Sequence, residues 1–200
     1  ASCWNYEAQL DFEAGDVASA LALGQRALAV LESSGQTRGN VYPSQLGFMV
    51  EVLRENSDFD GAAALLDRQQ ALLDRSGRGG STDALEIVRK RALLLRDRGE
   101  LRAAHALLVD ALSRWGAAPY REAPGHWLLT LADLQLRLGD AALARASLEL
   151  ATARSDPASR LMKIAPLLQA RIALAQGWAD DAGRAIDEAD ARAATEPLPR

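Results

Sequence analysis

Two hundred residues suffice for one ordinary domain or one array of small units, and 48% hydrophobic residues give ample material to bury. The apolar residues are chiefly Ala and Leu, which favour helices, while Val, Ile, Thr and the aromatics are few, so the class is all-α. A net charge of −4 gives no global pull toward nucleic acid or anionic membrane, the single Cys3 excludes an internal disulfide framework or a cysteine-rich zinc site, and no apolar run reaches the roughly 18 residues of a membrane span.

The chain opens with ASCW, without an initiator Met. A segment of a larger protein is the expected origin. The alternative is a processed leader, with Cys3 as a lipidated residue and a lipid-anchored or periplasmic location in place of the cytoplasm.

Taken in order, the amphipathic stretches fall into pairs. The first is 2–14 with 17–32, joined at Gly15-Asp16. The linker SGQTRGN (34–40) leads to 41–56 with 59–75, joined at Ser57-Asp58. After SGRGGSTD (76–83) come 82–98 and 101–115, joined at Gly99-Glu100. The long linker WGAAPYREAPGH (115–126) precedes 123–138 with 141–154, joined at Gly139-Asp140. RSDPASR (154–160) leads to 158–176 with 179–194, joined at Gly177-Trp178. Pro166 is awkward in the fifth pair, where either an extra turn from Pro157 to Ile164 or a kink is expected. The tail EPLPR after Thr195 reads as an unstructured exit.

The pairs are copies of one another. RGELRAAHALLVDAL (98–112) aligns with stretches starting at 14, 56, 138 and 176, so successive starts lie 42, 42, 40 and 38 residues apart. Five residues after the turn glycine, or Ser57, the column reads Ala20, Ala62, Ala104, Ala144 and Ala182. Seven further on it reads Ala27, Gln69, Ala111, Ala151 and Ala189. Upstream of each turn a matching column holds Ala8, Val50, Ala92, Ala132 and Ala170. Glycine ends one helix in the left-handed conformation, and Asp16, Asp58, Glu100 or Asp140 caps the next. Small residues seven apart share one stripe, letting antiparallel helices approach closely.

A bulky residue, a small one, a Gly-Asp turn and small residues seven apart (Trp4, Ala8, Gly15, Asp16, Ala20 and Ala27 in the first unit) resemble the tetratricopeptide repeat family, over practically the whole chain. The usual period is about 34, and these longer units resemble the long-repeat subset of bacterial regulators. Ser57, Gln69 and Trp178 depart from the pattern. The resemblance implies one domain spanning 1–200, a right-handed α-solenoid of five helix-turn-helix units near 1–40, 41–81, 82–122, 123–157 and 158–195.

No residue reads as catalytic. His105 shares a column with Leu21, Ala63, Arg145 and Gly183, a position that accepts any side chain, and His126 lies in the long linker beside Trp127. No nucleophile, base and orienting group converge, and no phosphate loop, zinc-protease or calcium-loop motif occurs. Asp180, Asp181, Asp187, Glu188 and Asp190 read as a solvated face with its first-turn acids on the helix dipole. Arg78, Arg89, Lys90, Arg91, Arg96, Arg98 and Arg102 are interleaved with Asp83, Glu86, Asp97 and Glu100, unlike a nucleic-acid footprint. No cofactor or metal is expected.

In such arrays the first helices line a concave groove that takes a partner's extended segment or helix. Register places Asn5, Gln9, Phe12, Glu51, Arg54, Arg89, Leu93, Arg96, Asp133, Leu136, Arg137 and Arg171 there. Chaperone adaptors of the family hold a terminal carboxylate with a Lys/Asn/Asn/Lys/Arg set. Asn5 and, loosely, Gln9 match it, so that clamp is not expected. The groove arginines favour an acidic or carboxylate-bearing protein segment with apolar anchors. The expected function is a non-catalytic interaction scaffold or sensor module, without nucleic acid or a membrane span, with homo-oligomerisation through an uncapped end a further expectation. The alternative is a regulatory domain sensing a small molecule or signal peptide beside a kinase or transcription activator. That would call for an aromatic-lined pocket, whereas Trp4, Trp115, Trp127 and Trp178 are expected mainly at repeat edges and loops.

Overall fold

The computed structural model describes residues 2–37, 39–79, 81–115, 124–156 and 159–194. Among them are ten helices and no strand. In chain order these are α1 (Ser2–Glu13), α2 (Val17–Ser33), α3 (Val41–Glu55), α4 (Phe59–Arg75), α5 (Thr82–Asp97), α6 (Leu101–Trp115), α7 (Gly125–Arg137), α8 (Ala141–Ala153), α9 (Arg160–Ala175) and α10 (Ala179–Ala194). The chain divides into two compact units, Ala1–Gly99 and Glu100–Arg200. In the first, α1 packs on α2 and α3 on α4, while α2–α3 and α4–α5 contacts join the pairs. In the second, α7 packs on α8 and α9 on α10, and α8 meets α9 while α6 meets α7. The tail EPLPR and most of the 115–126 linker lie outside the described residues.

The turns behave as their residues dictate. Gly15, Gly99, Gly139 and Gly177 have φ between +78° and +91°. Asp16, Asp58 and Asp140 each accept a backbone N–H three residues on, at 3.0, 2.9 and 3.0 Å, which satisfies a donor the helix leaves orphaned. Ser57 adopts the same left-handed conformation, at φ 60°, with a side chain that conformation disfavours. Ser57→Gly is therefore expected to raise stability by about 0.5 kcal/mol, read as a higher urea midpoint.

The small-residue columns form the seams. Ala20, Ala62, Ala104 and Ala144 are fully buried, as are Ala8, Val50, Ala92 and Ala132 on the partner helices. Gly24 in the middle of α2 serves the same purpose between α2 and α3, because a Cβ there would collide with Met49 Sδ. Gln69, the polar exception, reaches out instead, its Nε2 donating to Pro43 O at 2.7 Å.

One expectation is corrected. Trp127 sits in the first turn of α7, beside His126, and is only 1% exposed, among the largest fully buried side chains; it belongs to the core and not to a loop or repeat edge. The helix that carries it, α7, packs against α6, α8 and α9. Pro166 lies buried within α9, which begins at Arg160, ahead of the proline. Having no N–H, it leaves Met162 O without its helical donor. Arg192 Nη1 of α10 donates to that carbonyl at 2.6 Å.

Candidate functional site

In the first unit, α3 and α5 flank an open cleft of about 510 Å³. Gly47 forms part of its lining. A Cβ there would press to 3.0 Å from Gln69 Nε2 and 3.3 Å from Lys90 Nζ, so the absent side chain leaves both long residues room to reach the α3 backbone. Lys90 Nζ donates to Gly47 O at 2.8 Å and pairs with Glu51 Oε1 at 3.1 Å. Phe48 and Ile87 supply apolar lining, and Arg78, Asp83 and Glu86 charged lining. The Phe48 ring meets Phe12 of α1 edge-on, with centroids 5.8 Å apart, a favoured aromatic geometry that holds the α1–α3 contact.

The arginines expected in the groove are all engaged within the protein. Arg54, whose side chain is 9% exposed, pairs with Glu51 at 2.5 Å on its own helix and with Asp97 at 2.7 Å on α5. Arg96 approaches the other oxygen of Asp97 at 2.7 Å. Arg89 pairs with Glu86 at 2.5 Å. Glu51, Arg54, Lys90, Arg96 and Asp97 thus form a chain of ion pairs tying α3 to α5. Leu93, on the same helix, is buried. At the α1 end, Asn5 and Gln9 line a separate hollow with Tyr6 and Gln45, and Gln9 Nε2 donates to Asn5 Oδ1 at 3.4 Å.

In the second unit, Asp133 of α7 accepts from Arg137 on its own helix and from Arg171 on α9, each at 2.9 Å. Leu136 is partly buried against the core of Ala132, Ala144, Leu148 and Ile172. His105 is half-buried on α6, and His126 exposed at the start of α7. From the acidic face, Asp181 pairs with Arg184 and Glu188 with Arg192. Among the described residues, no cluster of His, Cys, Asp or Glu is placed to hold a metal, and no helix is long and apolar enough to cross a membrane.

A second polar cluster in the first unit joins α2, α3 and α4. Tyr42 OH donates to Glu32 Oε1 at 3.0 Å, and Arg68 bonds both groups. The Arg68 guanidinium holds the Glu32 carboxyl below its usual range, and burial pushes the Tyr42 phenol up.

Sequence reasoning missed Gly47, Phe48, Gln69 and Lys90 as cleft residues. One signal was present: a glycine inside a helix costs roughly 1 kcal/mol relative to alanine, so Gly47 marks a close approach.

No family model matches the sequence, and no curated protein matches it. Solved structures do. BtubC (BKLC) from P. vanneervenii superposes with a TM-score of 0.63 at 19% identity, over 96% of this chain and 81% of that one. A Podosopora anserina protein described as a kinesin light chain with nearly identical TPR-like repeats gives 0.62 at 17% identity, over 98% of this chain and 97% of its own. A tetratricopeptide repeat protein from Parabacteroides merdae gives 0.53 at 15% identity, over 98% of this chain and 67% of its own. The fold of this chain is therefore the all-α helical repeat fold of tetratricopeptide type, as the alanine columns and Gly-Asp turns imply.

Proposed function

We propose that the chain is a non-catalytic protein-interaction module whose first unit takes an extended partner segment in the cleft between α3 and α5. The observation that carries this reading is the cleft itself. It is open along two successive first helices, with apolar Phe48 and Ile87 beside charges of both signs. A groove of this kind suits an extended segment with an apolar anchor. Neighbours of the same fold described as kinesin-light-chain-type and tetratricopeptide repeat proteins support the scaffold reading.

The segment's charge follows from the pairing. Because Arg54 and Arg96 share Asp97 and Arg89 is paired with Glu86, an acidic residue gains one of these cations only by competing with Asp97 or Glu86, at a desolvation cost. A segment carrying both signs around an apolar side chain is the better fit.

Selection of peptides from a random displayed library against the whole chain tests the reading. Ser44 is exposed and lines the cleft, so Ser44→Trp obstructs it without touching the core. Selected peptides are expected to lose at least about tenfold in affinity to this variant, 1.4 kcal/mol, and nothing to Ala142→Trp on exposed α8. No selected binder, or equal binding to both variants, overturns the reading.

A further inference from the structure

Helix α9 buries Ala165, Leu168, Ile172 and Ala173, yet Ile164, Leu167 and Leu174 on the same helix are between 45% and 59% exposed. With Arg171 they follow one another at steps of three, four and three residues. That places all four on one face, on successive turns about 5.4 Å apart. The spacing is that of a coiled-coil seam, the pattern along which one helix receives another. An extended strand repeats its side chains on one face about every 6.6 Å and falls out of step with it.

Arg171 gives this apolar face a charge. Its guanidinium and that of Arg137 on α7 share one carboxylate: Asp133 accepts from Arg171 Nη1 through Oδ1 and from Arg137 Nε through Oδ2, each at 2.9 Å. Neither arginine has another acidic partner among the described residues, so two cations stand against one anion. Asp133 is only 13% exposed, whereas Arg137 and Arg171 are 42% and 49% exposed. A guanidinium carries five N–H donors, so each arginine can take a second carboxylate without giving up Asp133. The first-unit arginines, enclosed by their own acids, lack that freedom.

We propose that this face of α9, with Arg137 beside it, docks an amphipathic helix of a protein partner whose apolar stripe is flanked by acidic residues. Leucine-type side chains pack among Ile164, Leu167 and Leu174, and a neighbouring carboxylate bonds the unengaged donors of Arg171 or Arg137. Charge separates this occupant from its rivals. Helix α9 contains no acidic residue, so α9 of a second copy would bring cations against cations. A basic helix meets the same repulsion, and a purely apolar one would cover the surplus cation with nothing in exchange. The acidic α10 of a second copy carries one large apolar residue, Ile186, too few for a stripe of three. The surface lies in the second unit and extends the interaction reading without using the α3–α5 cleft.

The test is calorimetric titration of the whole chain with three synthetic helical peptides of about 15 residues. The first carries leucines alternately three and four apart, flanked by glutamates. The second has lysine for each glutamate, and the third keeps the composition of the first with its leucines scattered round the helix. The first is expected to bind with a Kd on the order of 0.1 mM, weakening as salt rises, and the other two at least about tenfold more weakly. Leu167→Ser with Leu174→Ser alters exposed positions only, so the core stays intact, and is expected to cost at least about tenfold. Arg171→Gln is expected to cost about threefold. Ser44→Trp, which obstructs the α3–α5 cleft, is expected to bind the first peptide unchanged; a loss there would put the peptide in that cleft and overturn the assignment. No saturable binding overturns it as well, as does equal binding of the lysine or scattered peptide, or undiminished binding by either α9 variant.

Discussion

Trp127→Ala is expected to be the most damaging single change short of breaking a helix, costing about 3–5 kcal/mol. Its side chain is 1% exposed and neighbours the fully buried Leu128 and Leu131 on α7, a helix that packs against α6, α8 and α9. A cavity left in so closely packed an interior collapses only in part. Domains of ordinary stability have roughly 5–15 kcal/mol to lose, so the variant should show a sharply lowered urea midpoint by circular dichroism. Trp127→Phe, which keeps most of the volume, should recover more than half of the loss. A cost under about 1 kcal/mol for the alanine variant would show that Trp127 is not a core residue.

The second large effect is expected at Arg54. Truncation to alanine removes the cation that Glu51 and Asp97 share at 2.5 and 2.7 Å. Breaking a fully buried pair costs about 3–5 kcal/mol. Here the carboxylates are 29% and 21% exposed and retain Lys90 and Arg96, so about 2 kcal/mol is expected. The double-mutant cycle of Arg54→Ala with Asp97→Ala should return a coupling of about 1 kcal/mol or more, the signature of residues within one network. Additive losses would show that the pair does not join α3 to α5 energetically.

The backbone of the fold was legible because each repeat solves one local problem the same way. The buried alanines at 20, 62, 104 and 144 and the capping aspartates at 16, 58 and 140 stand in fixed columns, and helix bounds follow within one or two residues. What stayed hidden depends on neighbours from other repeats. The periodicity of α7 shows that it has a buried face but not that Trp127, in its first turn, is among the most buried side chains. Register brought Glu51, Arg54 and Arg96 to one place, yet could not show that each arginine would be neutralised at home. The clue was in the spacing. Arg54 and Asp97 are 43 residues apart, as are Gly47 and Lys90, and Asp133 and Arg171 are 38 apart. These are separations of about one repeat, so side chains in like positions of successive first helices meet. Complementary residues one period apart are thus candidate pairs, in the way that neighbours four apart are on a single helix.

The bond from Arg192 to Met162 O bears on the order in which the second unit assembles. A helix ordinarily completes its own ladder, so it can form before it docks. Pro166 denies that autonomy to α9: one rung is supplied by a side chain thirty residues later, on α10. The two helices therefore gain their full hydrogen-bond complement together. The loss of that link would be felt inside α9, making α9 and α10 a single cooperative element rather than two that open in turn.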